Sequence, residues 1–246
     1  MTDNVYVLAS GALARMRDLD VIANNLANLS TTGFRADRTL FESALESRLL
    51  GPDGRPQPGA PGRVFVGTAG TATEMEAGPI QRTGAPLDAA IRGPGFFAVQ
   101  TRDGVAYTRA GSFQLDRVGQ LTTVLGHPVL GDGGAIVSTG RPLRILESGD
   151  VVDDRGQLLG RLRVVRFDDP ASLVKEGGNL FRAPAGVVPR PVDSPSLAPG
   201  SLEGSNVSAV AELARMVMVQ RSFEATLRAS MLDDQATERL LQEFSG

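Results

Sequence analysis

The sequence predicts an α+β protein. A discontinuous, coiled-coil-like helical domain is built from both chain ends, and a mainly antiparallel β domain, a sandwich or barrel, interrupts it. Three observations carry this. Helical seams occupy residues 1–30 and 205–246, with no partner helix for the first anywhere in the N-terminal half. From residue 64 to about 181 the apolar period changes to that of short strands with glycine turns. Gly/Pro-rich stretches separate the two patterns. The expected organisation is an N-terminal helix (1–30), a flexible connector (31–63), a β domain (64–182), a Pro-rich connector (183–204) and a C-terminal helix (205–246).

The first helix follows from Val5, Leu8, Ala12, Leu19, Ile22, Leu26 and Leu29, which alternate at three- and four-residue spacing with one break at Arg15. Ala9, Leu13, Met16, Ala23 and Ala27 widen the stripe. Ser30, Thr31 and Thr32 favour backbone-bonded turns, and Gly33 supplies the left-handed residue that ends a helix. Residues 34–50 carry a weaker pattern (Phe34, Leu40, Phe41, Leu45, Leu49) that reads as short helix or irregular structure. Gly51–Gly62 holds four Gly and four Pro in twelve residues and reads as a flexible loop.

In the β region, Asp103-Gly104 between GFFAVQT and VAYTR is a hairpin signal. Val118-Gly119 separates FQLD from QLTT, and 135–138 and 143–146 read as short strands. Gly160 to Phe167 alternates, arginine outward and apolar inward. Pro184, Pro189, Pro191, Pro195 and Pro199 make 183–204 extended. Ser205 or Asn206 is placed to cap the last helix. That helix carries one stripe of Val210, Leu213, Ala214 and Val217 and an adjacent one of Met216, Val219, Phe223, Leu227 and Met231. A helix apolar over that much of its girth needs more than one neighbour. Each large aliphatic side chain it buries contributes roughly 1.5–3 kcal/mol. The chain ends are therefore expected to be loose in a free monomer and ordered once packed, whereas residues 64–182 are expected to fold alone.

Composition narrows the function. The chain has 246 residues, net charge −3 with both signs interspersed, and no cysteine. A nucleic-acid binder needs a basic face, and disulfide or thiol chemistry needs Cys. No run of about 18 apolar residues suggests a membrane span. No basic n-region precedes a continuous apolar core, so no cleavable signal peptide is expected. Basic residues are almost all Arg, Lys175 being the single Lys. The only histidine, His127, sits in a Gly-His-Pro turn without ligand or triad partners in sequence. Motifs such as HExxH, GxSxG and GxxxxGK are missing. The pairs Asp153-Asp154, Asp168-Asp169 and Asp233-Asp234 read as solvated turn or surface carboxylates. No catalytic, metal or cofactor-binding residue is expected. Asn24, Asn25 and Asn28 disfavour helix yet sit in one, and Asp20, Asn24 and Asn28 share a face. They read either as a fraying last turn with solvated amides or as a polar ridge that fixes register between neighbouring subunits, as buried Asn does in coiled coils.

Three motifs add a resemblance. Ala23-Asn24-Asn25-Leu26-Ala27-Asn28-Leu29-Ser30-Thr31-Thr32-Gly33-Phe34 resembles the N-terminal signature of the flagellar rod, hook and hook-associated axial proteins. Gly200 to Val207 (GSLEGSNV), followed by Glu212, Met216 and Gln220 to Glu224, is similar to their C-terminal signature. Gly93 to Val99, Tyr107 to Phe113 and Gly119 to Leu121 look like the family's central β region. Length and the opening Tyr6 to Gly11 look most like the proximal-rod members, with the distal-rod members as the close alternative. The resemblance implies a non-enzymatic structural subunit of the bacterial basal-body rod, assembling through its terminal helices with copies of itself and other rod proteins. It also implies export by the flagellar type III apparatus without cleavage, no nucleic-acid partner and no membrane embedding. The candidate assembly residues are Val5, Leu8, Ala12, Leu19, Ile22, Asn24, Asn25, Leu26, Asn28, Leu29, Val210, Leu213, Val217, Phe223 and Leu227. The rival from another class is a β binding module displayed on helices.

Overall fold

The computed structural model describes residues 2–46 and 63–244. The Gly51–Gly62 loop reading lies outside them. Two compact units divide the chain, one of Met1–Leu26, Asp37–Ala72 and Ser208–Gly246, the other of Ala27–Ala36 and Thr73–Val207.

In the helical unit, α1 spans Thr2–Ala27 and α2 spans Ala209–Phe244. At 36 residues α2 is about 54 Å long. Side chains of α1 turn Ala14, Asp18, Ile22 and Asn25 to the buried side, spaced at helical period. Asp18 and α2 meet directly, the Arg215 Nη2 donating to Asp18 Oδ1 at 2.6 Å. Neither proposed residue caps α2. The helix opens with the Glu212 amide on the Ser208 carbonyl at 2.9 Å, while the amide of Asn206 is engaged elsewhere.

Within 34–50, residues 37–46 depart from the expectation, and 47–50 lie outside the described residues. Asp37–Glu46 is a strand, paired with the strand Arg63–Thr73. Its weak 3.6-residue pattern yields to pairing with a Val- and Thr-rich segment, because strand formation depends on cross-strand neighbours more than on local preference. Asn25 fixes where the strand begins. Its Nδ2 donates to the Asp37 carbonyl at 2.9 Å and its Oδ1 accepts the Asp37 amide at 3.0 Å. Asp18 Oδ1 also accepts the Thr39 hydroxyl at 3.0 Å.

The β unit is organised by a six-stranded antiparallel sheet. Its strands run in the order Val174–Glu176, Leu180–Arg182, Gly104–Thr108, Phe96–Thr101, Val164–Arg166, Arg190–Pro191. The expected hairpin forms one residue earlier than Asp103-Gly104: Thr101 faces Gly104, the loop is Arg102-Asp103, and Gly104, at φ 115°, opens the second strand. Apolar side chains along this sheet go to both faces. Phe97, Val99, Ala106, Val164 and Leu180 enter one core, and Phe96, Ala98, Tyr107, Val165 and Phe181 enter the other. Burial on both sides is why GFFAV is continuously apolar instead of alternating. Edge-to-face contacts order the second core, with Tyr107 and Phe181 each against a ring partner at 4.9 and 5.6 Å. For the same reason the alternation from Gly160 to Phe167 belongs to two strands, Leu158–Arg161 and Val164–Arg166, in different sheets.

Smaller antiparallel sheets complete the unit. The Pro-rich stretch supplies three strands to it: Arg190–Pro191, Leu197–Pro199 on Ala89–Ile91, and Ser201–Glu203 on Ile80–Arg82. Leu197 is fully buried in the first core. A fragment of residues 64–182 lacks these strands and leaves Ile91 and Ala89 uncovered. It is therefore expected to melt well below a fragment of 27–207, by at least the roughly 1.5–3 kcal/mol that one buried leucine contributes. Calorimetry of the two fragments checks this, and equal melting temperatures would show that the stretch adds nothing to folding.

Candidate assembly site

Among the described residues of the helical unit, α2 exposes an apolar stripe. Along α2, Glu212, Arg215, Met216, Val219, Ser222, Phe223 and Thr226 lie on the more buried side, Val219 at 6% exposure. The adjacent stripe is open. Val210 is 80% exposed, Leu213 52% and Val217 48%, and Leu227, Met231 and Leu232 continue the apolar exposure along the helix. Of the two apolar stripes on this helix, the one containing Leu213 and Val217 is exposed, while the other is buried at Val219, half-buried at Met216 and Phe223, and emerges at Leu227 and Met231. On α1, Leu13 and Met16 are half-exposed.

The remaining sequence candidates distribute as follows. Ile22 and Asn25 are completely buried within the unit, and Ala12, Leu19 and Leu26 are half-buried. Asn24 is exposed, Asn28 half-buried and Leu29 exposed. The side chains of Val5 and Leu8 lie outside the described residues. Asn25 therefore faces a partner in its own chain, the Asp37 backbone, and Asp18 and Asn25 are polar members of the buried side. Reading apolar residues alone missed Asp18. Its signal is its spacing, four residues after Ala14 and four before Ile22.

In the β unit, the segments that lead to the helices carry the two terminal motifs, and they meet. The Gly33 amide donates to the Glu203 carbonyl at 2.8 Å; Gly33 takes φ 67°, and a Cβ there would overlap the Arg109–Ala110 backbone, so both conformation and space call for glycine. Arg35 Nη2 donates to Glu203 Oε1 at 2.5 Å, with both side chains 1% exposed. Arg109 Nη1 lies 3.5 Å from Glu203 Oε2. Burial pulls the Arg109 pKa below its ordinary value, Glu203 opposes that shift and the neighbouring Arg35 adds to it. Lys175, the single lysine, places Nζ 4.0 Å from the Phe34 ring centre and donates to the Arg35 carbonyl at 2.7 Å. Asn179 Nδ2 donates to the Thr32 carbonyl at 3.0 Å. Nothing local in the sequence marks Lys175 or Asn179 for this role, since each reaches more than a hundred residues back along the chain.

His127 closes a turn, its amide on Thr123 Oγ1 at 3.2 Å and its carbonyl accepting the Thr123 amide at 2.8 Å. It is half-buried and lines an open cleft of about 670 Å³ with Thr101, Asp103 and Glu176. Among the described residues no group of three His, Asp or Glu side chains is arranged to hold a metal, and no helix is long and apolar enough to cross a membrane.

Comparison with known proteins places this architecture. Residues 5–35 match the family "Flagella basal body rod protein", 90–160 the "Flagellar hook protein FlgE/F/G D1 domain" and 198–242 the "Flagellar basal body rod FlgEFG protein C-terminal". The chain is 36% identical over 240 residues to the flagellar basal-body rod protein FlgF of Caulobacter vibrioides, covering 96% of this chain and 94% of that one. The chain belongs to the flagellar basal-body rod protein family. FlgF of Escherichia coli is 34% identical over 96% of each chain. FlgG of Buchnera aphidicola subsp. Acyrthosiphon pisum is 33% identical over 98% of this chain and all of its own length. As a rod protein it is a structural, non-enzymatic component of the flagellum serving motility. The matched end segments coincide with α1 and its root and with the root and length of α2.

Proposed function

We propose that this chain is a proximal-rod subunit of the FlgF type, which builds the rod by packing α1 and α2 against those of neighbouring rod subunits, its own copies included. The observation that supports the mode of assembly is the open stripe of Val210, Leu213 and Val217 beside a stripe buried at Val219 within the subunit. A helix with a second apolar stripe gains from a second neighbour. A contact that repeats without closing on itself generates a helical tube. Ala12, Leu19, Leu26, Leu29 and Leu227 are proposed to contribute to this surface, with Ile22, Asn25 and Phe223 shaping it from inside. The FlgF type rests on length and on the opening Tyr6 to Gly11, because relatives named FlgF and FlgG are almost equally similar. The FlgG type is the alternative. Electron cryomicroscopy of basal bodies tests the assignment: density for this chain is expected at the proximal end of the rod, and density confined to the distal end would overturn it.

The subunit is further proposed to reach the rod through the flagellar export channel with its N-terminus intact. Mass spectrometry of rod protein from basal bodies is expected to find a peptide starting at Met1 or Thr2, and a start inside α1 would refute it.

Two substitutions separate assembly from chemistry. His127→Ala is expected to leave motility at wild-type level, since the turn is held by backbone groups and Thr123. Asn25→Leu is expected to abolish swimming although leucine is the better helix former. It leaves the Asp37 amide and carbonyl without their partner, at about 1–3 kcal/mol for each buried group left unsatisfied. Swimming assays on the two strains with matched protein levels decide, and the reverse pattern would sink the structural reading.

A further inference from the structure

Two segments of the β unit, each the sequence root of one helix, meet at one point within that unit. One root is the segment Ala27–Ala36, and the other is residues 203–207, the last of Thr73–Val207. Glu203 Oε1 accepts from Arg35 Nη2 and, at 3.1 Å, from the Gly78 amide, while its Oε2 faces Arg109. Asn206 supplies the complement. Its amide donates to the Phe34 carbonyl at 3.4 Å and its Oδ1 accepts the Ala36 amide at 2.7 Å. Its Nδ2 donates to the Glu74 and Glu76 carbonyls at 3.1 and 3.2 Å. The backbone packs tightly here, for a Cβ on Gly78 would overlap the Gly204 carbonyl.

The charge count at this point is uneven. Two guanidiniums, on Arg35 and Arg109, share one carboxylate, and all three side chains are almost completely buried. Removing the second root takes away the carboxylate and leaves two buried cations facing each other. Removing the first root strips Glu203 of its shortest partner. Breaking a buried pair from either side leaves an uncompensated buried charge, which is far more costly than losing the pair whole. Neither root therefore has a favourable half-docked state.

We propose that the two roots form a single latch with Glu203 as its hub, docking and releasing together in one cooperative step distinct from unfolding of the six-stranded sheet. The consequence is an order of events. The first root has no stable seat until residues 203–206 are in place.

Hydrogen exchange on the full-length monomer tests this, with reporter amides whose own partners each substitution leaves untouched. Gly33, bonded to the Glu203 carbonyl, reports on the first root, and Gly204, bonded to the Pro79 carbonyl, on the second. Gln100 and Val129, bonded to the Pro128 and Leu121 carbonyls, report on the β sheets. Arg35→Met lies in the first root and Asn206→Ala in the second. Each is expected to speed exchange about tenfold or more at both Gly33 and Gly204, and less than about twofold at Gln100 and Val129. Glu203→Gln, which keeps the shape and removes the charge, is expected to do the same. Loss of protection confined to the root that carries the substitution would overturn the proposal, as would no change at either root. Equal loss at Gln100 and Val129 would also overturn it, because the roots would then belong to the global fold and not to a separate latch.

Discussion

Gly33→Ala is expected to lower the melting temperature of the β unit by about 10 °C. A residue with a side chain costs about 1–2 kcal/mol in the left-handed conformation that Gly33 adopts at φ 67°. A Cβ there also meets the Ala110 amide nitrogen and the Arg109 carbonyl carbon, neither of which can rotate away. Backbone must move, and a total of about 3–5 kcal/mol places this among the rare severe substitutions. For a unit of this size each kcal/mol shifts the melting temperature by about 2–4 °C. Gly126→Ala supplies the control. Its φ of 81° is similar, but nothing lies within 4 Å of the added Cβ, so only the conformational cost of about 1–2 kcal/mol remains. Differential scanning calorimetry of the two variants isolates the contact contribution. Equal losses would mean that the close approach at Gly33 is not rigid.

What was legible in the sequence follows how local each signal is. The hairpin near Asp103-Gly104 was readable because a two-residue connection and the strands it joins are neighbours in sequence. The two stripes of α2 were readable because helical periodicity is local, and the burial of Val219 against the exposure of Leu213 and Val217 divides them. The strand Asp37–Glu46 was not, because its partner, Arg63–Thr73, lies beyond a Gly/Pro-rich interval. Asp18 and Asn25 were hard to read for another reason. Polar residues in a helix are ordinarily assigned to solvent or to a neighbouring molecule, yet here Asp18 is answered by Arg215 and Thr39, and Asn25 by the Asp37 backbone. Only the fold reveals a polar partner so far along the chain. The family signatures at the two ends were legible as motifs. That Arg35, Glu203 and Asn206 bring them together was not.

The second large effect concerns the open stripe and is expected to appear only on assembly. Val217→Asp should change the stability of the isolated subunit by no more than about 0.5 kcal/mol, as substitutions on exposed positions do. The helix already presents that position to water, at 48% exposure. Val219→Asp, two positions further along the same helix and 6% exposed, buries a carboxylate within the subunit. It should destabilise the monomer by several kcal/mol. In cells the two should converge, each strain failing to swim. The Val219 variant fails because the helical unit loosens, and the Val217 variant because an unpaired charge enters every helix–helix contact of the tube and is repeated in each subunit. Chemical denaturation of the purified variants, beside basal-body preparations from the two strains, distinguishes the causes. If the Val217→Asp strain assembles rods and swims normally, that stripe faces solvent in the rod and the proposed packing is wrong. If instead its monomer is destabilised as much as the Val219 variant, the stripe is already covered within the subunit and cannot be what neighbouring helices recognise.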